Sequence, residues 1–199
     1  MKTSNTKELL LQATLKLISE KGYLGATTRE IANEAGVTEI TLFRNFGSKE
    51  LLFEEVLKTY TFLPRLKELL PELEGLPSAE ALTLIATRFL QTLKERKAMI
   101  KIMYQEVTSY PGKIREVYNK FGEEVRATLA DYIETLQARG EMRKDVSPDM
   151  AARVFFALFF SYFRQEEIMR SGGMKKQNME KYIREVLDIF MRGTLKEGR

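Results

Sequence analysis

A glycine at position 36 separates two helical patterns of about two turns each, and this spacing limits the N-terminal fold more than any other feature of the chain. The first pattern begins at Thr27 or Thr28 and stops at Ala35, with Thr27 and Glu30 at capping-box spacing. The second opens near Thr38, a cap residue, and ends by Phe46–Gly47. A longer segment precedes them, from about Ser4 to Lys21, with Leu10, Ala13, Leu17 and Ile18 on one face and Gly22 just past its end. Another follows from Ser48, another cap residue, and carries Leu52, Val56 and Tyr60 along one side until Pro64 ends or kinks it. Ile31, Ala32, Val37, Leu42 and Phe46 supply a small core that pins the third helix to the first two. That leaves Glu39, Ile40, Thr41, Phe43, Arg44 and Asn45 on its outer front.

Such a front suits the major groove of DNA. Arginine pairs with guanine O6 and N7, asparagine with adenine N6 and N7, and isoleucine or threonine methyls touch the thymine methyl. Thr28 and Lys49 stand at the starts of the second and fourth helices, where backbone N–H groups, a hydroxyl or an ammonium hold phosphates. Taken singly, Lys49 also reads as a solvated lysine, Arg44 as a surface ion-pair partner and Phe43 as a core side chain.

The rest of the chain repeats the helical period. Pro71–Pro77 reads as a turn-rich loop. Helices are expected at about 78–95, 97–108, 111–139, 148–170 and 175–196, with stop signals at Gly140 and Gly172-Gly173. Ser147-Pro148-Asp149 is a start signal: a cap, proline at the first helical position, then an acid in the first turn. In the helix after it, Val154, Phe155, Phe156, Leu158, Phe159, Phe160, Tyr162 and Phe163 wrap nearly all round the axis, so both sides need a partner. The last helix adds a stripe of Met179, Tyr182, Ile183, Val186, Leu187 and Phe190. Two such helices pairing with their copies make a four-helix dimer interface; packing within one chain is the alternative.

Composition removes whole classes of chemistry. With no cysteine and no histidine among 199 residues, zinc sites of the Cys/His type, iron–sulfur clusters, disulfides and His-based catalytic groups are excluded. No paired carboxylates stand at a recognisable spacing. No catalytic residue, metal or cofactor is therefore assigned. The net charge of +4 does not single out a DNA-binding segment, because the first fifty residues hold seven basic and six acidic side chains. The N-terminus carries no signal-peptide pattern, and the run Val154–Phe163 is about half of a bilayer span, so a cytoplasmic location with no membrane partner is expected.

Thr27 to Leu52, TTREIANEAGVTEITLFRNFGSKELL, closely resembles the DNA-binding module of the tetracycline-repressor (TetR) family. The shared pattern comprises the Thr at the helix-two start, Arg29, Ile31-Ala32, Ala35-Gly36-Val37, Thr41-Leu42, an aromatic at 43, Phe46 and Ser48-Lys49-Glu50-Leu51-Leu52. The resemblance covers the first quarter of the chain; beyond it the match is architectural. It implies that Thr28, Arg29, Glu39, Ile40, Thr41, Phe43, Arg44, Asn45 and Lys49 occupy DNA-contacting positions. Two departures stand out: the family often has a small residue at Ile40 and usually Tyr at Phe43, whose missing hydroxyl removes a phosphate bond. Glu39 either repels phosphate or accepts a hydrogen bond from cytosine N4.

The expected architecture is all-α: a three-helix helix-turn-helix module over residues 1–47, followed by a six-helix ligand-binding and dimerisation domain over 48–199. Phe62, Phe89, Met99, Met103, Tyr104, Tyr110, Tyr118, Phe121, Phe155, Phe159 and Tyr162 are the candidates to line a cavity for a small apolar or amphipathic effector, and each alone also reads as core. The expected function is a homodimeric regulator, a repressor by the family resemblance, that binds palindromic double-stranded operator DNA and is released by that effector. The rivals are an architectural DNA-binding protein without an effector, and a carrier or enzyme on a helical scaffold.

Overall fold

The computed structural model describes residues 2–170 and 173–194. Among these, every regular element is a helix: α1 (Lys2–Gly25), α2 (Thr28–Glu34), α3 (Glu39–Phe46), α4 (Lys49–Tyr60), α5 (Phe62–Leu69), α6 (Ser78–Glu95), α7 (Lys97–Glu106), α8 (Gly112–Ala138), α9 (Pro148–Phe163) and α10 (Lys176–Thr194). None of them is long and apolar enough to cross a membrane. The stop signal at Gly172 and the expected end of the last helix near 196 lie outside the described residues.

The helix starts follow the caps read from the sequence. Thr27, Thr38, Ser48 and Ser147 are extended N-cap residues whose hydroxyls accept from the backbone N–H three positions on. Thr27 and Glu30 complete a capping box, the Thr27 N–H donating to Glu30 Oε2 at 3.0 Å. Gly36, at φ 68°, makes the turn between α2 and α3 in a conformation other residues avoid.

Two expectations change. The helix from Ser48 is two helices, because Thr61 is extended between Tyr60 and Phe62 and its hydroxyl bonds back to the Leu57 carbonyl. Pro64 lies in the first turn of α5, where its missing N–H has no intrahelical acceptor to lose, so it begins a helix rather than ending one. The Pro71–Pro77 loop is likewise partly ordered: Leu70–Leu73 form a 3₁₀ turn with Leu73 fully buried. At the other end, α9 gives way to a π-helical stretch, Arg164–Met169, within which Glu167 is buried and accepts from the Met174 N–H at 2.6 Å.

The chain divides into two compact units. One comprises Met1–Thr61 with Arg96–Phe121, and so adds α7 and the beginning of α8 to the first four helices. Its core joins Leu10, Ile18, Ile31, Leu42, Leu52, Phe53 and Val56 to Met99, Met103, Tyr110 and Ile114. The other comprises Phe62–Glu95 and Gly122–Arg199. Its interior sets a run of phenylalanines on α5, α6, α9 and α10 among buried aliphatic side chains such as Leu66, Leu82, Ile85 and Ile183. Phe62–Phe89, Phe89–Phe156 and Phe155–Phe159 meet edge to face at ring separations of 5.0, 4.9 and 4.9 Å, and Phe155 reaches Phe190 at 5.7 Å.

Candidate nucleic-acid interface

The interface rests on the one fully buried side chain of α3, Leu42, which fixes the rotation of an eight-residue helix that has little else to hold it. Burying a leucine there contributes roughly 1.5–3 kcal/mol. Val37 and Phe46 are half-buried beside it. With Leu42 inside, Ile40 is 80% exposed and Phe43 44% exposed, and Arg44 points to solvent.

The polar residues around this front divide by whether their hydrogen-bonding groups are engaged. Asn45 Nδ2 donates to the Thr41 carbonyl at 2.7 Å. The Thr41 and Thr38 hydroxyls lie 3.0 Å apart, and the Thr41 N–H donates to Thr38 Oγ1 at 3.3 Å. Thr28 Oγ1 donates to Glu39 Oε1 at 2.5 Å, tying the start of α2 to the start of α3. Arg29 is exposed on α2, as Arg44 is on α3. The Lys49 ammonium turns inward, donating to the Tyr23 carbonyl at 2.5 Å and lying 4.2 Å from the centre of the Tyr23 ring. Burial holds its pKa below the usual lysine value.

Tyr23 and Glu106 were not apparent as interface supports from the sequence. Gly22 breaks α1 with φ 76° and ψ 174°, which releases the Tyr23 N–H from the helix ladder. The Glu106 carboxylate at the end of α7 accepts that N–H at 2.8 Å and the Tyr110 hydroxyl at 3.3 Å. It fits because position 22 has no side chain: a Cβ there would lie 2.1 Å from Glu106 Oε1. The Tyr23 hydroxyl is 3.5 Å from Glu50, and burial chiefly raises its pKa. Two ion pairs, Lys16–Glu34 and Lys21–Glu30, link α1 to α2 at 2.6 and 2.7 Å.

The eleven candidate effector-lining residues fall into both units. Phe62, Phe89, Phe155 and Phe159 belong to the phenylalanine interior, and Tyr162 stacks on Tyr182 at 4.0 Å. Met99, Met103 and Tyr110 are core residues of the other unit; Tyr118 and Phe121 pack partly buried against that core, and Tyr104 is 42% exposed. A groove of about 510 Å³ between α6 and α10 is lined by other residues, among them Thr83, Thr87, Ile183 and Leu187.

A capped two-helix unit with a glycine turn, whose second helix is anchored by one leucine and presents Ile, Phe and Arg outward, defines a helix-turn-helix DNA-binding protein. Residues 10–56 match the family described as bacterial regulatory proteins, tetR family, and residues 80–193 match the AefR-like transcriptional repressor C-terminal domain. The HTH-type transcriptional regulator YvkB of Bacillus subtilis (strain 168) is 32% identical over 158 residues, 79% of this chain and 81% of that protein. The repressor KstR2 of Rhodococcus jostii (strain RHA1) is 25% identical over 153 residues, covering 75% and 74%. A Mesorhizobium loti MAFF303099 protein assigned to the TetR family shares the fold, with a TM-score of 0.80 at 23% identity over 98% of this chain and all of that one. The chain belongs to the TetR family of transcriptional regulators, and the proteins of that family are regulators rather than enzymes.

Proposed function

We propose that the protein is a cytoplasmic homodimeric repressor that reads a palindromic operator through the major groove with α3 and releases it when a small, largely apolar or amphipathic molecule binds the C-terminal domain. The observation that carries the reading is the front of α3. An isoleucine 80% exposed beside an exposed phenylalanine and arginine has no role within the chain's own packing, and it matches the thymine methyl and guanine edges of a groove. Of the nine candidate DNA contacts, Arg44, Ile40, Phe43, Glu39 and Arg29 are assigned to reading or approaching the duplex. Thr28, Thr41, Asn45 and Lys49 shape the surface that presents them.

Dimerisation accounts for apolar surface on the last two helices. Met150 and Val154, one turn apart on α9, are 50% and 41% exposed, and Ile189 on α10 is 70% exposed. Burying these against a second copy removes them from water and sets two recognition helices at a fixed separation, matched to half-sites about 34–36 Å apart or a multiple of that. The effector is assigned to the aromatic body: Phe62, Phe89, Phe155 and Phe159, connected through Phe156, and Tyr162, which stacks on the Tyr182 ring that Phe159 also meets. An effector that binds the DNA-incompetent state about a hundredfold better shifts the balance by roughly 2.7 kcal/mol.

Selection from a random duplex pool with the purified protein tests this reading, with Arg44→Ala as the control. One palindromic site should be enriched, and Arg44→Ala should relax one position in each half. Salt-sensitive binding without an enriched site would instead favour an architectural role.

A further inference from the structure

Resting on the reading of α3 as the recognition helix, we propose that Glu39, held in place by Thr28, selects cytosine at one position of each half-site. Glu39 is the first residue of α3, the end of a recognition helix that meets base edges. A carboxylate in the first turn of a helix is favoured by the helix N-terminus, and a carboxylate is only an acceptor. The Thr28 hydroxyl donates its hydrogen to Oε1 at 2.5 Å, which occupies one carboxylate oxygen and fixes the other, Oε2, as the atom left to meet the DNA.

The same bond settles what Thr28 does. With its hydrogen committed to Glu39, the hydroxyl turns only lone pairs toward a phosphate, so the side chain orients the reader and does not clamp the backbone. Glu39 is half-buried, and its position is set by contacts within the protein before any DNA arrives.

An ionised carboxylate can enter the groove only where a donor receives it. Guanine presents N7 and O6, both acceptors, and thymine presents O4 and a methyl, so both repel or fail to satisfy Oε2. Cytosine N4 and adenine N6 are the donors available. Adenine places the N7 lone pair directly beside N6, whereas the neighbour of cytosine N4 on its own ring is an apolar C–H. Cytosine is therefore preferred, adenine second, with guanine and thymine excluded. The same negative charge weakens binding to phosphates wherever no donor is in register, which sharpens discrimination against random sequence.

The experiment uses the full chain, a random duplex pool and the variants Glu39→Gln, Glu39→Ala and Thr28→Val. The wild type should enrich a palindrome with cytosine at one position per half. Glu39→Gln, whose oxygen stays with the Thr28 hydroxyl while an N–H₂ donor replaces the Oε2 acceptor, should lose cytosine at that position in favour of a base that presents acceptors, guanine with O6 and N7, and leave the others unaltered. Glu39→Ala should lose preference there, and Thr28→Val should keep cytosine with reduced discrimination. Duplexes carrying each of the four bases at that position, bound by the unmodified protein, give a measurement free of any folding defect. Cytosine should bind best and guanine or thymine worst, by roughly five- to hundredfold. An enriched palindrome whose base preferences are the same in the wild type and Glu39→Gln overturns the assignment while leaving operator reading intact. Absence of any enriched site in the wild type overturns operator reading, and the assignment with it.

Discussion

In the unit that carries α1 to α4, single polar atoms join helices at the margins of an apolar core. The Lys49 ammonium takes the Tyr23 carbonyl, the Glu106 carboxylate takes the Tyr23 N–H, Thr28 takes Glu39, and the Tyr60 hydroxyl takes Glu8 at 2.8 Å. In the unit that carries α5, α6, α9 and α10, polar bonds such as that from the Tyr182 hydroxyl to the Leu158 carbonyl also occur, but rings meeting at their edges join four helices. Hydrogen bonds of this kind are directional and fail over a few tenths of an ångström, so they set the attitude of a short reading helix to within narrow limits. Ring contacts tolerate a wider range of separations, with centroids about 4.5–7 Å apart in general. The two kinds of contact thus predominate in different units of the chain.

The largest effect should come from the ring-packed unit. Phe155 is fully buried and touches Phe156, Phe159 and Phe190, so Phe155→Ala opens a void and should cost about 3–5 kcal/mol. The chain has no tryptophan, so urea unfolding followed by circular dichroism is the suitable measurement. Phe155→Leu, which refills most of the volume, should recover more than half of the loss. Equal losses for the two variants would show that ring geometry, not volume, holds this unit, and the contrast between the units would weaken.

Gly22→Ala probes the polar unit and should cost about 2–4 kcal/mol, from a backbone conformation nearly confined to glycine together with displacement of Glu106 from the Tyr23 N–H. In a Glu106→Ala background only the backbone part remains, so the double variant should lose less than the sum of the two single losses. Strict additivity would mean that the carboxylate and the glycine do not share one site.

Much of this unit was legible in the sequence. Caps at Thr27, Thr38 and Ser48, the Gly36 turn and the exposure of Ile40, Phe43 and Arg44 follow from local spacing, because each is decided within a few residues, whereas Glu39, Thr41 and Asn45 are half-buried and bonded within the chain. The supports behind that surface were not. Glu106 meets Tyr23 across 83 positions and bonds a backbone N–H, which carries no side-chain signature. Pro64 was misplaced because a proline in the first turn of a helix and one that terminates a helix look alike until the conformation of Thr61 is known. In the other unit the aromatic residues were all identifiable, but sequence spacing does not say which rings touch, since those contacts join four separate helices.

Lys49→Met should have a smaller effect, about 1–2 kcal/mol, because it removes the bond to the Tyr23 carbonyl and the contact with the ring while keeping the aliphatic stem. Salt titration of operator binding separates support from direct contact. A supporting role leaves the slope unchanged, whereas loss of a phosphate contact reduces it by about one. A reduced slope in a fully stable variant would return Lys49 to the DNA and remove it from the polar network that distinguishes this unit.

The smallest effect, and the most specific to the polar unit, is a dependence on pH at Glu30. Its hydrogen bonds to Lys21 and to the Thr27 backbone and hydroxyl lower its pKa from 4.5 to about 2. A carboxyl whose folded-state pKa is depressed stabilises the fold fully above its unfolded value and loses that contribution as pH falls through the folded value. The window is therefore pH 4.5 down to about 2. Glu30→Gln keeps an acceptor for the capping box but cannot ionise, so the wild type should melt higher at neutral pH, and the gap in Tm should close as the pH is lowered through that window. Because the group is on the surface, added salt should also narrow the gap at neutral pH. A gap that persists unchanged to pH 2 would show that the cap depends on shape rather than charge, and that the polar unit is held by geometry alone.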